Sequence, residues 1–107
     1  MMKKIILGFL FILPTLSYAK ITEETCRGIV RHAKLVMLYK QSGVPIDEML
    51  KKNDEWFKNA TNAEKNKANM TIQMAYSLPS YNDEKLNKAQ LNDFIADEYI
   101  TCRKAIK

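Results

Sequence analysis

Residues 22–45 read TEETCRGIVRHAKLVMLYKQSGVP, and the fold class follows from how that stretch begins, repeats and ends. Thr22 is a capping residue type whose side-chain oxygen can accept from the backbone N–H groups that a first helical turn leaves unpaired. Glu23 and Glu24 then put negative charge at the positive end of the helix dipole, and Ile21 is placed to staple back against the first turns. Apolar positions recur at helical spacing through Cys26, Ile29, Val30, Ala33, Val36, Met37 and the stem of Lys40. Gly43 stands where a left-handed residue closes a helix, and Pro45 prevents continuation. The stretch predicts one amphipathic helix from Thr22 to about Ser42.

Downstream, Asp47 and Glu48 open a second and weaker helical segment carrying Met49, Leu50, Trp56 and Phe57. The polar run from Lys51 to Glu55 leaves open whether it is one helix or two. Thr61 and Glu64 have the spacing of a capping box and start a third helix through Met70, Met74 and Ala75 to Ser77, where Leu78-Pro79 stops it. Asn82 can cap a fourth, with Asp83 and Glu84 in its first turn, running through Leu86, Leu91, Phe94, Ile95 and Tyr99 to about Ala105. No segment alternates with period two and no internal repeat occurs, so the expected class is all-α, an antiparallel bundle of about four helices.

Upstream, Lys3 and Lys4 precede an apolar run from Ile5 to Leu13, and Pro14 breaks it before Ser17-Tyr18-Ala19. Residues 1–19 read as a cleavable signal peptide ending after Ala19, because the apolar run is far shorter than the ~20 residues a spanning helix needs. Lys20 at the new N-terminus gives no support for a lipid anchor. The short charged and apolar regions look bacterial, which implies a periplasmic or secreted protein. Residues 20–107 then form one domain of about 88 residues, small enough that a hydrophobic core alone is marginal. The formal net charge of +5 falls to about +3 once Lys3 and Lys4 are removed. Two cysteines in an oxidising compartment supply the missing support as a disulfide, Cys26 to Cys102. With one cysteine in the first turns of the first helix and the other in the last turns of the fourth, those helices pack antiparallel. The turns at Gln41 to Pro45 and Leu78 to Tyr81 should then both lie at the end opposite the bond.

The sequence resembles a group of small exported proteins of gammaproteobacteria and their prophages. The features that carry the resemblance are Cys26, Lys40-Gln41-Ser42-Gly43-Val44-Pro45, Met49-Leu50, Ala75-Tyr76-Ser77-Leu78-Pro79-Ser80-Tyr81, and Cys102. The chain departs from that group at Lys40, where arginine is usual, and at Lys85, where a capping glutamate would stand. Those departures weaken a charge-specific role for position 40 and leave Asn82 to cap alone. The resemblance implies fold and export, and it brings no established activity.

The residue inventory argues against an enzyme. His32 is the single histidine and lies about 240° around the helix from Cys26, so no thiol–imidazole pair forms; it reads as a structural or surface residue. The cysteines are expected to be oxidised, no ligand pair has zinc-type spacing, and no Cys-x-x-Cys pair exists for thiol exchange, so neither a metal nor a cofactor is expected. The doublets Glu23-Glu24, Asp47-Glu48, Asp54-Glu55, Asp83-Glu84 and Asp97-Glu98 could suggest a glycosidase pair, but neighbouring helical residues diverge by ~100° and helix starts explain at least three of them. The sequons at Asn59 and Asn69 carry no meaning in a bacterial product.

Two surfaces remain as candidates. Arg27, Arg31 and Lys34 stripe the first helix, with Arg103, Lys104 and Lys107 brought near its start, and an anionic envelope surface could dock there. Nucleic acid is not an expected partner. The other candidate is the two-turn end, where Gly43, Pro45 and Pro79 fix the backbone and Gln41, Tyr76 and Tyr81 could present contacts, with Trp56 as a further possible anchor. The plainer reading is a packed turn in which the tyrosines cover the core edge. The sequence is therefore expected to encode a non-enzymatic interaction module that binds another envelope protein. The rivals are an inhibitor or immunity protein against a peptidoglycan hydrolase, and a stress chaperone exposing Met37, Met49, Met70 and Met74.

Overall fold

The computed structural model describes residues 21–106, so the expected signal peptide lies outside the described residues. Four helices follow in order: α1 (Glu23–Gln41), α2 (Ile46–Trp56), α3 (Asn62–Tyr76) and α4 (Glu84–Lys104). The fold is all-α, as the periodicity requires, and no described helix is long and apolar enough to cross a membrane.

Local chemistry sets each boundary. Thr22 caps α1 reciprocally with Thr25: the Thr22 hydroxyl accepts from the Thr25 N–H at 3.2 Å, and the Thr22 N–H donates to the Thr25 hydroxyl at 3.3 Å. At the other end Gly43 takes φ 92°, its N–H donates to the Lys40 carbonyl, and the Val44 N–H donates to that of Tyr39. This paired closure demands a left-handed residue, and glycine adopts it without a side-chain clash. Thr61 and Glu64 form the expected capping box on α3. At α4 the expectation needs correction, because Asp83 and not Asn82 is the cap. One Asp83 carboxylate oxygen accepts from both the Lys85 and Leu86 N–H groups, which starts the helix one residue later.

The open question at the second segment resolves to a single helix. Met49 and Asn53 are both buried one turn apart and Phe57 continues their line, so the stripe runs unbroken through the polar stretch with an amide at its centre.

Helix α1 is the hub. It packs most extensively on α4, then on α3, while α2 lies chiefly against α3. The Cys26 and Cys102 Cα atoms are 5.6 Å apart and disulfide-bonded, which pins the start of α1 to the end of α4 and makes the pair antiparallel. The core consists of Ala33, Val36, Met37, Met49, Ile72, Ala75 and Phe94, with Tyr39, Val44, Leu50, Tyr76 and Leu91 packed around it. Its alanines let the helix axes approach, and each large side chain fully withdrawn from water contributes about 1.5–3 kcal/mol. The methionines do not share one face: Met37 and Met49 are wholly buried, whereas Met70 and Met74 face solvent.

The disulfide closes a loop across nearly the whole domain, its cysteines 76 positions apart in sequence. Chain entropy assigns such a loop roughly 4 kcal/mol, a large share of the ~5–15 kcal/mol of a typical domain. Replacing Cys26 with Ser, or reducing the bond, should lower stability by several kcal/mol. Urea denaturation with and without reductant measures it, and coincident midpoints would contradict the assignment.

Candidate functional site

The two turns meet at the end opposite the disulfide, as the antiparallel arrangement requires, and polar side chains lock them together. The Pro79 carbonyl accepts from the Lys40 ammonium at 2.7 Å and from the Gln90 amide at 2.8 Å. Lys40 also donates to Gln90 Oε1 at 3.3 Å. Gln41 Nε2 donates to the Asn87 carbonyl at 2.8 Å and to Gln90 Oε1 at 3.1 Å. The Tyr76 hydroxyl donates to the Val44 carbonyl at 2.7 Å, and the Asn87 amide donates to the Tyr81 carbonyl at 3.2 Å.

Three residues read as contacts in the sequence therefore have different places. Gln41 ties the end of α1 to α4. Tyr76 ties the second turn to the first through its hydroxyl, while its half-buried ring packs on the core, and burial pushes its pKa up, with the Glu48 charge adding to the rise. Only Tyr81 remains substantially exposed, at 37%.

Lys40 is the residue that sequence reasoning undervalued. The residue is only 8% exposed and makes no ion pair with a carboxylate among the described residues. Burial lowers its pKa. What compensates the charge is a backbone carbonyl, an amide oxygen and the negative end of α1's dipole, and a hydrogen bond from a charged donor contributes about 1.5–3 kcal/mol. Its position on the apolar stripe announced a buried stem; nothing in the sequence announced Pro79 and Gln90 as partners for the head.

Around this locked frame apolar and charged side chains are both exposed, with Lys85 and Lys88 among the charged ones. Ile46, Leu78, Tyr81 and Leu86 are exposed at this end, together with Pro45 and Pro79. Asp47, Glu48, Asp83 and Glu84, all exposed, occupy the cap of α4 and the first turns of α2 and α4 beside them.

At the disulfide end the basic stripe is partly consumed. Glu23 accepts the Tyr99 hydroxyl at 2.7 Å, binds the Arg103 guanidinium, and has Arg27 Nε at 3.7 Å. The Tyr99 hydrogen bond and then the Arg103 one hold its carboxyl below the usual range, and Glu23 in turn raises Arg103. Arg31, Lys34 and Lys104 stay outside any ion pair among the described residues.

Between α1, α2 and α3 runs a polar chain that no pattern in the sequence indicated. His32 Nε2 lies 2.8 Å from Asn53 Oδ1, and Asn53 Nδ2 donates to Asn69 Oδ1 at 3.1 Å. The His32 ring stands edge-on to Phe57 and Trp56, with centroids at 5.1 and 6.3 Å, and Lys52 lies 5.4 Å from the Tyr39 ring. Trp56 is 44% exposed, so it covers the edge of this cluster and does not fill the core. No group of His, Cys, Asp and Glu side chains among the described residues is arranged to hold a metal ion.

Burial lowers the pKa of His32, and the Lys67 charge adds to the effect; the Asn53 hydrogen bond and the Glu98 charge oppose it. The folded state thus keeps a neutral imidazole where the unfolded chain takes up a proton, below about pH 6.5. Stability should fall as pH drops through that value and level off below the depressed folded pKa. Urea midpoints at about pH 7.5 and 5.5 should differ for the natural protein and much less for His32→Gln, and equal midpoints for both would show that the imidazole is not held neutral. In comparison with known proteins, the chain matches no protein-family model, no curated protein and no solved structure.

Proposed function

We propose that this chain is an exported, non-enzymatic interaction module of the bacterial envelope that docks another envelope protein through its two-turn end. One observation carries the reading: hydrogen bonds from Lys40, Gln90, Tyr76 and Asn87 tie down both turns, yet Leu78 and Tyr81 on the second turn, and Ile46 and Leu86 in the first turns of α2 and α4, are left exposed. A surface ordered before binding loses little entropy on association, and a tyrosine on such a frame suits an interface anchor. The exposed apolar side chains favour a partner whose contact patch is itself apolar.

Export rests on the charged and apolar leader together with the disulfide, a bond that persists in oxidising compartments outside the cytosol. The mature N-terminus is then Lys20. The intact mass of the exported product checks this, and a mass for the whole chain would mean that the leader is retained.

Tyr81 and Tyr76 separate binding from folding. Tyr81→Ala should leave the melting temperature nearly unchanged while weakening partner capture by tenfold or more, on the order of a hot-spot loss. Tyr76→Phe removes only the bond to Val44 and should cost about 1 kcal/mol of stability with binding preserved once folded. Photo-crosslinking from position 81 in envelope preparations, with position 31 as the control face, identifies the partner. Indistinguishable products from the two positions, or normal capture by Tyr81→Ala, would overturn the proposal.

A further inference from the structure

We infer that the cleft between α2 and α3 is a binding site for a small organic monocarboxylate, separate from the two-turn surface. The cleft has a volume of about 240 Å³ and is lined by Asn53, Asp54, Phe57, Lys58, Lys65 and Asn69. An apolar cavity of ~150 Å³ accommodates benzene, so there is room for a ring-sized body and a carboxylate.

The polarity of the cleft follows from the direction of its hydrogen bonds. Asn53, only 2% exposed, turns its carbonyl oxygen to His32, so His32 Nε2 carries the hydrogen. Asn53 then gives its amide hydrogen to the Asn69 carbonyl oxygen. The chain runs from His32 to Asn53 to Asn69 and ends on the Asn69 amide nitrogen, whose two N–H groups meet no acceptor among the described residues. Each bond in such a chain polarises the next, which strengthens the terminal donor. Lys58 and Lys65 line the same cleft, bringing two positive charges to it, and neither forms an ion pair among the described residues.

A site with this excess of donors takes a group that only accepts, and beside two lysines a negatively charged one such as a carboxylate is favoured over a neutral carbonyl. Asp54, the single acid in the lining, sets the charge. Two lysines against one aspartate leave a balance that suits a monoanion and disfavours a dianion. Phe57, braced edge-on by His32, supplies an apolar wall that an inorganic anion would leave wet. The ligand therefore joins one carboxylate to an apolar body.

The test uses the disulfide-bonded protein as isolated, labelled with nitrogen-15 and titrated with benzoate, with benzyl alcohol and inorganic phosphate in parallel. Benzoate should produce saturable shifts at the Asn53 and Asn69 side-chain amides and at Phe57. Benzyl alcohol and phosphate should bind at least about tenfold more weakly, as should benzoate to Lys65→Met, which keeps the stem and removes the charge. Tyr81→Ala should bind benzoate normally. No saturable shift, phosphate or benzyl alcohol matching benzoate, or an unaffected Lys65→Met would each overturn the assignment.

Discussion

The covalent approach of Cys26 to Cys102 constrains everything else in this molecule. With their Cα atoms 5.6 Å apart, the first turns of α1 and the last of α4 must lie side by side. That brings Glu23 against Tyr99 and Arg103 at one end. Because α1 and α4 then run antiparallel along their shared face, the end of α1 arrives beside the start of α4 at the other, where Gln41 reaches the Asn87 carbonyl. The two-turn surface is thus a distant consequence of a bond at the opposite end, transmitted by two stiff helices.

Within that frame the described residues include four buried polar or charged side chains: Lys40, Asn53, Thr71 and Glu98. Each has a partner. Thr71 donates to the Lys67 carbonyl one turn back, Glu98 accepts from the Lys67 ammonium at 2.9 Å, and Lys40 and Asn53 hold the turn end and the cleft. A buried polar group left unsatisfied costs about 1–3 kcal/mol, more when charged, so these bonds discriminate against shifted helix registers that hydrophobic contacts alone would tolerate. The small apolar core provides the drive to collapse, and the buried polar bonds favour one arrangement of it.

The sequence made the helices legible because their boundaries are local. Thr22, Gly43, the Thr61–Glu64 pair and Pro79 act within a turn or two of themselves. Asn82 and Asp83 are adjacent and equally able to cap, and only the geometry of the bond to Lys85 and Leu86 distinguishes them. The antiparallel pairing of α1 and α4 was legible because two cysteines admit one pairing. The candidate site was legible only as backbone: glycine and prolines announced rigid turns, but not the direction in which Gln41 and Tyr76 point. Asn53 was illegible for a sharper reason. An amide in a run of charged residues reads as surface, and it becomes core only when His32 and Asn69, each 16 or more positions away, arrive to satisfy it.

Helix α2 shows how the two candidate surfaces stay independent while sharing an element. It enters from the first turn, where Tyr76 holds the Val44 carbonyl, and is gripped again near its far end, where Asn53 bonds to His32 and Asn69. Between those clamps Met49 anchors it in the core. Tyr76 and Asn69 lie on the same helix seven positions apart, a rise of about 10 Å, and their hydrogen-bond partners are different residues. At that separation, with no shared partner, perturbations are expected to add and not to couple. A ligand in the cleft would therefore tighten the α2–α3 seam without altering the turns, and a partner on the turns would leave the cleft open to its own ligand.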